Sequence, residues 1–125
     1  GGGLALLRAI DAVSEEEGRA EGDERTGIRI LKRALEAPTR QIAENSAVDG
    51  GVVVDRMRAG TGNYGFDAAT GRYGDLVEAG IIDPTKVVRL ALENAVSVAS
   101  VLLLSEATLT ELPEQKPERT PAEEF

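Results

Sequence analysis

Residues 84–105 constrain this chain more than any other stretch. Asp83-Pro84 reads as a helix start, because an Asp carboxylate accepts from free N–H groups and proline is pre-set for a first turn. The first half of the predicted helix is amphipathic. Its second half, 95–104, is apolar nearly all round, which predicts burial on most sides. A membrane span is the rival reading. Arg89, Glu93 and Asn94 lie inside the window, and each charge at membrane depth costs about 2.5–3.5 kcal/mol, which argues for a soluble helix.

The remaining periodicity is helical too. Residues 4–16 place Leu6, Ile10 and Val13 on one face, with Leu7 beside them. Residues 15–23 are acidic and contain Gly18 and Gly22, and read as an exposed connection. A second helix over 26–37 carries Ile28, Leu31 and Leu35. Pro38 cannot sit inside it and instead opens a shorter helix over 38–45. Residues 51–58 read as another short helix, although Val52-Val53-Val54 alone suits a strand equally. Apolar residues make up 42% of the chain and aromatics 3%, so Leu, Val, Ile and Ala must fill the core. That bias favours packed helices over aromatic-rich strands.

Residues 60–74 change character. Tyr64, Phe66 and Ala68 alternate, turn residues run to Gly71, and Arg72-Tyr73 follows, which predicts a small β-hairpin. Gly60-Thr61-Gly62-Asn63-Tyr64-Gly65 fits G-x-G-x-x-G, with Asp83 at about the distance of a ribose-binding acid. A dinucleotide fold needs a strand before those glycines and a helix after them. A helix precedes and a hairpin follows, so the pattern is read as a flexible turn. Residues 106–112 alternate like a single strand that needs a partner from elsewhere in the protein or from another subunit. From 113 onward Pro and Glu dominate, and a disordered acidic tail over 113–125 is expected.

The chain has no histidine and no cysteine. Ser-His-Asp and Cys-His catalysis, disulfides and an ordinary zinc site are thereby excluded within it. A net charge of −8 argues against a nucleic-acid surface. Gly1-Gly2-Gly3 ahead of a helix suits close approach of a ligand to backbone N–H groups, and equally suits a simple turn or linker. That opening, with Met57 the sole methionine, reads as an excerpt of a longer protein.

Three collinear stretches carry a resemblance. Gly62-Asn63-Tyr64-Gly65-Phe66-Asp67-Ala68-Ala69-Thr70, Tyr73-Gly74 and Ala79-Gly80-Ile81-Ile82-Asp83-Pro84-Thr85-Lys86-Val87 closely resemble the nucleotide-binding hairpin and following helix of GroEL-type (group I) chaperonins. Gly1-Gly2-Gly3-Leu4-Ala5-Leu6-Leu7-Arg8 is similar to the glycine run of that family. Ala34-Leu35-Glu36-Ala37-Pro38-Thr39-Arg40-Gln41-Ile42-Ala43-Glu44-Asn45 is similar to its helix-Pro-helix element. The likeness runs from Gly1 to about Pro113.

The resemblance implies a mainly α fold: the C-terminal portion of a chaperonin equatorial domain over 1–112, with a small β-hairpin and a C-terminal edge strand. It implies an ATP-dependent protein-folding chaperone of the cytoplasm. The intact protein would be a homo-oligomer of two back-to-back heptameric rings, working with a co-chaperonin and unfolded clients through domains not in this sequence. Carried over by position, Gly2 approaches the ribose side of the nucleotide. Asp67, Ala68 and Ala69 contact adenine largely through main chain, and Asp83 accepts from the ribose hydroxyls. The family commonly has Asn at the position of Asp67, so an amide donor is missing there. The family often ends in Gly-Met repeats, which the Pro- and Glu-rich tail here does not continue. The Gly-Asp-Gly-Thr-Thr-Thr phosphate loop and the catalytic aspartate are absent, so ATP with Mg²⁺ is the implied cofactor but turnover by this chain alone is not expected. A non-catalytic helical interaction module and a degenerate chaperonin paralogue are the alternatives.

Overall fold

Every helix expected from periodicity forms, in the order α1 (Leu4–Arg19), α2 (Gly22–Ala34), α3 (Ala37–Asn45) and α4 (Gly50–Ala59), then α5 (Thr85–Leu104) after a hairpin. The hairpin strands are β1 (Tyr64–Asp67) and β2 (Arg72–Asp75). The structure, a computed structural model, describes residues 1–105, so the strand expected over 106–112 and the disordered tail expected over 113–125 lie outside the described residues. The chain divides into two units, Gly1–Arg89 and Leu90–Phe125.

In the first unit α1 buries Leu4, Leu7 and Ile10, the i, i+3, i+6 positions of its inner face. It does not stop near Glu16 as the acidic run suggested, but continues through Gly18 to Arg19. The reason is Glu17, whose carboxylate accepts from Arg29 Nε at 2.7 Å and Lys32 Nζ at 2.7 Å on α2. Those cations hold the carboxyl down at about 2 from an ordinary 4.5, the Lys32 hydrogen bond contributing most. The connection is reduced to Ala20 and Glu21. α2 carries Asp23 and Glu24 in its first turn and Lys32 and Arg33 in its last, matching the sign of the helix dipole at each end.

Pro38 stands in the first turn of α3, as its ring requires. Asp49 caps α4, with Oδ1 accepting from Val52 N at 3.0 Å. This settles the valine run as helix. Val53 and Val54 are buried while Val52 is 61% exposed, a helical rather than alternating pattern. α1, α3, α4 and β1 then share one core of Leu7, Ile10, Ala43, Val53, Val54, Met57 and Phe66, joined by Leu76 just past β2.

α5 departs from expectation twice. The carbonyl of Pro84 accepts from Val87 N and Val88 N, so the helix opens at Thr85 and Asp83 lies outside it, capping nothing. The burial expected for 95–104 is also absent: no α5 residue is buried, and Val98, Leu103 and Leu104 are 62%, 84% and 85% exposed. Its apolar surface has no cover among the described residues. By length and composition alone, with mean hydropathy 1.8, this helix is long and apolar enough to cross a membrane.

Candidate functional site

The hairpin is held from both faces. β1 pairs antiparallel with β2 in the register Tyr64↔Asp75 and Phe66↔Tyr73, so three rings share one face. Tyr64 stacks on Tyr73 with centroids 5.9 Å apart, Phe66 tilts against Tyr73 at 5.1 Å, and the Arg56 guanidinium of α4 sits 4.0 Å over the Tyr73 ring. On the other face Gly65 leaves room for Leu76 and for Met57 of α4, which a side chain there would displace.

Beyond β1 the chain turns on Asp67. Its Oδ1 accepts from Ala69 N at 2.9 Å, its Oδ2 from Thr70 Oγ1 at 2.7 Å, and its carbonyl from Gly71 N at 2.8 Å. The Thr70 hydroxyl is the main reason the Asp67 carboxyl lies below its ordinary value. An Asx turn of this kind mimics one turn of backbone. The Asp67 side chain is therefore committed to shaping the tip. Ala68 is half-buried and Ala69 exposed at that tip.

The glycine run meets this hairpin from more than sixty residues away in sequence. Gly2 and Gly3 adopt φ 66° and 78°, a left-handed region that favours glycine. A Cβ on Gly2 would lie 3.5 Å from the Phe66 carbonyl oxygen and 3.3 Å from Leu76 Cδ1. One on Gly1 would lie 2.9 Å from the Ile81 carbonyl. The Gly1 nitrogen is 3.7 Å from Asp83 Oδ2, and the Asp83 side chain is 54% exposed. Of the residues singled out in the sequence, Gly2 and Asp83 thus flank one short stretch of backbone. Asp67, Ala68 and Ala69 follow directly from the Phe66 carbonyl that Gly2 faces. The Asp83 carboxylate and the Phe66 carbonyl are thus acceptors beside side-chain-free backbone. Two shallow cavities lie elsewhere in the same unit. One of about 440 Å³ is lined by Leu7, Arg8, Asp11, Asp55, Arg58 and Ala59. The other, about 410 Å³, lies against Ala12, Val13, Glu16, Ile28 and Leu31. Among the described residues no group of three or more His, Cys, Asp or Glu side chains is placed to hold a metal ion.

Two residues that support this arrangement went unread in the sequence. Arg8 on α1 donates to the carbonyls of Met57 (2.9 Å), Gly62 (3.0 Å) and Tyr64 (3.2 Å), tying the glycine-run helix to the end of α4 and the start of β1. Thr39 on α3 is 2% exposed and donates its hydroxyl to the Gly2 carbonyl at 3.0 Å. A cue existed for the second: Thr39 and Ala43 are spaced i, i+4, and both face inward.

Comparison with known proteins adds to this geometry. The sequence pattern of the TCP-1/cpn60 chaperonin family matches residues 1–112. The chain is 73% identical to Chaperonin GroEL 5 of Bradyrhizobium diazoefficiens over 121 residues, which is 97% of this chain and 22% of that protein. Among solved structures it is similar to the open-state monomer of a group II chaperonin from Methanococcoides burtonii. That likeness has a TM-score of 0.78 at 25% identity, over 84% of this chain and 27% of that one. The chain therefore spans only about a fifth to a quarter of the length of these relatives.

Proposed function

The chain belongs to the TCP-1/cpn60 chaperonin family, and from that premise we propose that it is one part of an ATP-driven protein-folding machine. Within that machine it forms the C-terminal portion of the equatorial domain, over residues 1–112. It contributes the adenine-and-ribose wall of the nucleotide site. Gly2 offers backbone at close range, the Asp67–Ala69 turn offers main-chain groups to the base edge, and Asp83 accepts from the ribose hydroxyls. The observation that carries this reading is that the glycine run lies against β1 and beside Asp83, three stretches far apart in sequence.

Phosphoryl transfer rests on positioning and on charge stabilisation of the phosphates. The Gly-Asp-Gly-Thr-Thr-Thr loop that would cradle them does not occur in these 125 residues, so the phosphate and Mg²⁺ side of the site belongs to the rest of the intact subunit. That subunit assembles with copies of itself into back-to-back rings in the cytoplasm and handles unfolded clients with a co-chaperonin. The apolar side chains of α5 that stand exposed among the described residues support the assembling half of this reading, since such a surface calls for a cover.

The test uses the intact subunit. Asp83→Ala removes a charged acceptor from the sugar and raises KM for ATP about ten-fold or more. Inhibition by inorganic tripolyphosphate, which has no sugar, stays unchanged. An ATP KM unaffected by Asp83→Ala refutes the assignment of the wall. The 125-residue chain alone is expected to show no ATP hydrolysis.

A further inference from the structure

Serine and threonine in helices ordinarily turn the hydroxyl back onto a carbonyl one turn earlier. Ser14, Thr26 and Ser100 do so, and Ser46 and Ser105 just past their helix ends do the same, each donating to the carbonyl four residues before it. Thr39 does not. Its Oγ1 reaches 37 positions back along the sequence to the carbonyl of Gly2, at 3.0 Å. At 2% exposure this hydroxyl is the single buried polar side chain of the described core.

The bond falls where the backbone leaves a gap. The Gly1 carbonyl is taken by Leu4 N at 3.2 Å and the Gly3 carbonyl by Leu7 N at 3.2 Å, both part of the start of α1. The Gly2 carbonyl between them has Thr39 as its partner. Glycine is the residue with most conformational freedom to lose, and Gly2 holds φ 66°. The same threonine forms a wall behind the run. A Cβ on Gly3 would collide with Thr39 Oγ1 and lie 2.8 Å from its backbone nitrogen.

We infer that Thr39 is a positioning residue for the nucleoside wall: its hydroxyl holds the Gly2 carbonyl, and so the residue that faces the Phe66 carbonyl and follows the Gly1 nitrogen near Asp83, without touching the ligand. This rests on the reading proposed above. It assigns the substrate-side order of a catalytic ring subunit to a side chain on a different helix from any that meets the nucleotide.

The test compares Thr39→Val, which keeps the branched shape and deletes the donor, with Thr39→Ser, which keeps the donor, in the intact subunit. Thr39→Val raises KM for ATP about three- to ten-fold, the loss of one hydrogen bond, with kcat little changed. Thr39→Ser restores the KM, and inhibition by tripolyphosphate is the same in all three proteins. A Thr39→Val enzyme with unaltered KM overturns the inference, as do Val and Ser variants that weaken ATP equally, which marks a packing role alone. Should Thr39→Val fail to fold, Thr39→Ala against Thr39→Ser decides by the same two outcomes. Asp83→Ala run alongside separates the two failures: if it weakens ATP while Thr39→Val does not, only the threonine inference falls.

Discussion

Replacing Gly3 by alanine measures how tightly the glycine run is seated. Two effects add at this position. A side chain held at φ 78° lies in the left-handed region, unfavourable by about 1–2 kcal/mol. The new methyl group also strikes Thr39, whose backbone nitrogen would be 2.8 Å away and cannot swing aside as a side-chain tip can. Overpacking of that kind costs about 1–3 kcal/mol, and the shift it forces breaks the Thr39–Gly2 hydrogen bond, worth about 1 kcal/mol more. The expected loss is about 3–6 kcal/mol. Gly62→Ala supplies the reference, because Gly62 also has positive φ, 57°, but nothing within 4 Å of a new Cβ. It isolates the backbone effect at about 1–2 kcal/mol. Urea unfolding followed by circular dichroism reads both. With a slope of about 2 kcal/mol per molar urea for a chain of this size, the two midpoints should differ by about 1 M or more. Equal midpoints for Gly3→Ala and Gly62→Ala would refute the idea that α3 walls in the glycine run.

Two further perturbations test the supports around the site. Glu17 has its carboxyl lowered from 4.5 to about 2 in the folded chain, so its contribution is fully present above pH 4.5 and is lost as pH falls toward about 2. Urea midpoints measured across that window should fall less steeply for Glu17→Gln than for the parent chain, and parallel curves would contradict the role given to Lys32 and Arg29. Arg8→Met keeps the apolar stem and removes a charged donor from three carbonyls, two of its bonds part-buried. A loss of about 2–4 kcal/mol in urea unfolding is expected, and a change under about 1 kcal/mol would show that the clamp is ornamental.

Local chemistry made most of the architecture legible. Pro38 announces α3, the alternation of Tyr64 and Phe66 announces β1, and the glycine pattern over 60–65 reads as a turn because a helix precedes it and a hairpin follows. These signals act within a few residues, which is the range a sequence displays. The misreadings arose where a distant partner decides. Glu15–Glu17 looks like a solvated connection until Arg29 and Lys32 arrive from α2 to draw it into α1. Asp83 has the sequence of a helix cap, yet the first helical bonds go to the Pro84 carbonyl. Arg8 and Thr39 act over 49 to 56 and 37 positions respectively, and nothing near either residue records its target. At the candidate site the family likeness proposes residue types but not the supports beneath them.

The turn built on Asp67 has a kinetic and thermodynamic corollary. A loop that must be frozen by its guest charges the association with the entropy of every rotor it stills. Here the carboxylate, the Thr70 hydroxyl and two backbone amides already freeze one another before any guest arrives. On the function proposed above, nucleotide docking at this tip should therefore be rapid, show little heat-capacity change from loop ordering, and leave the hairpin amides equally protected from exchange with or without nucleotide.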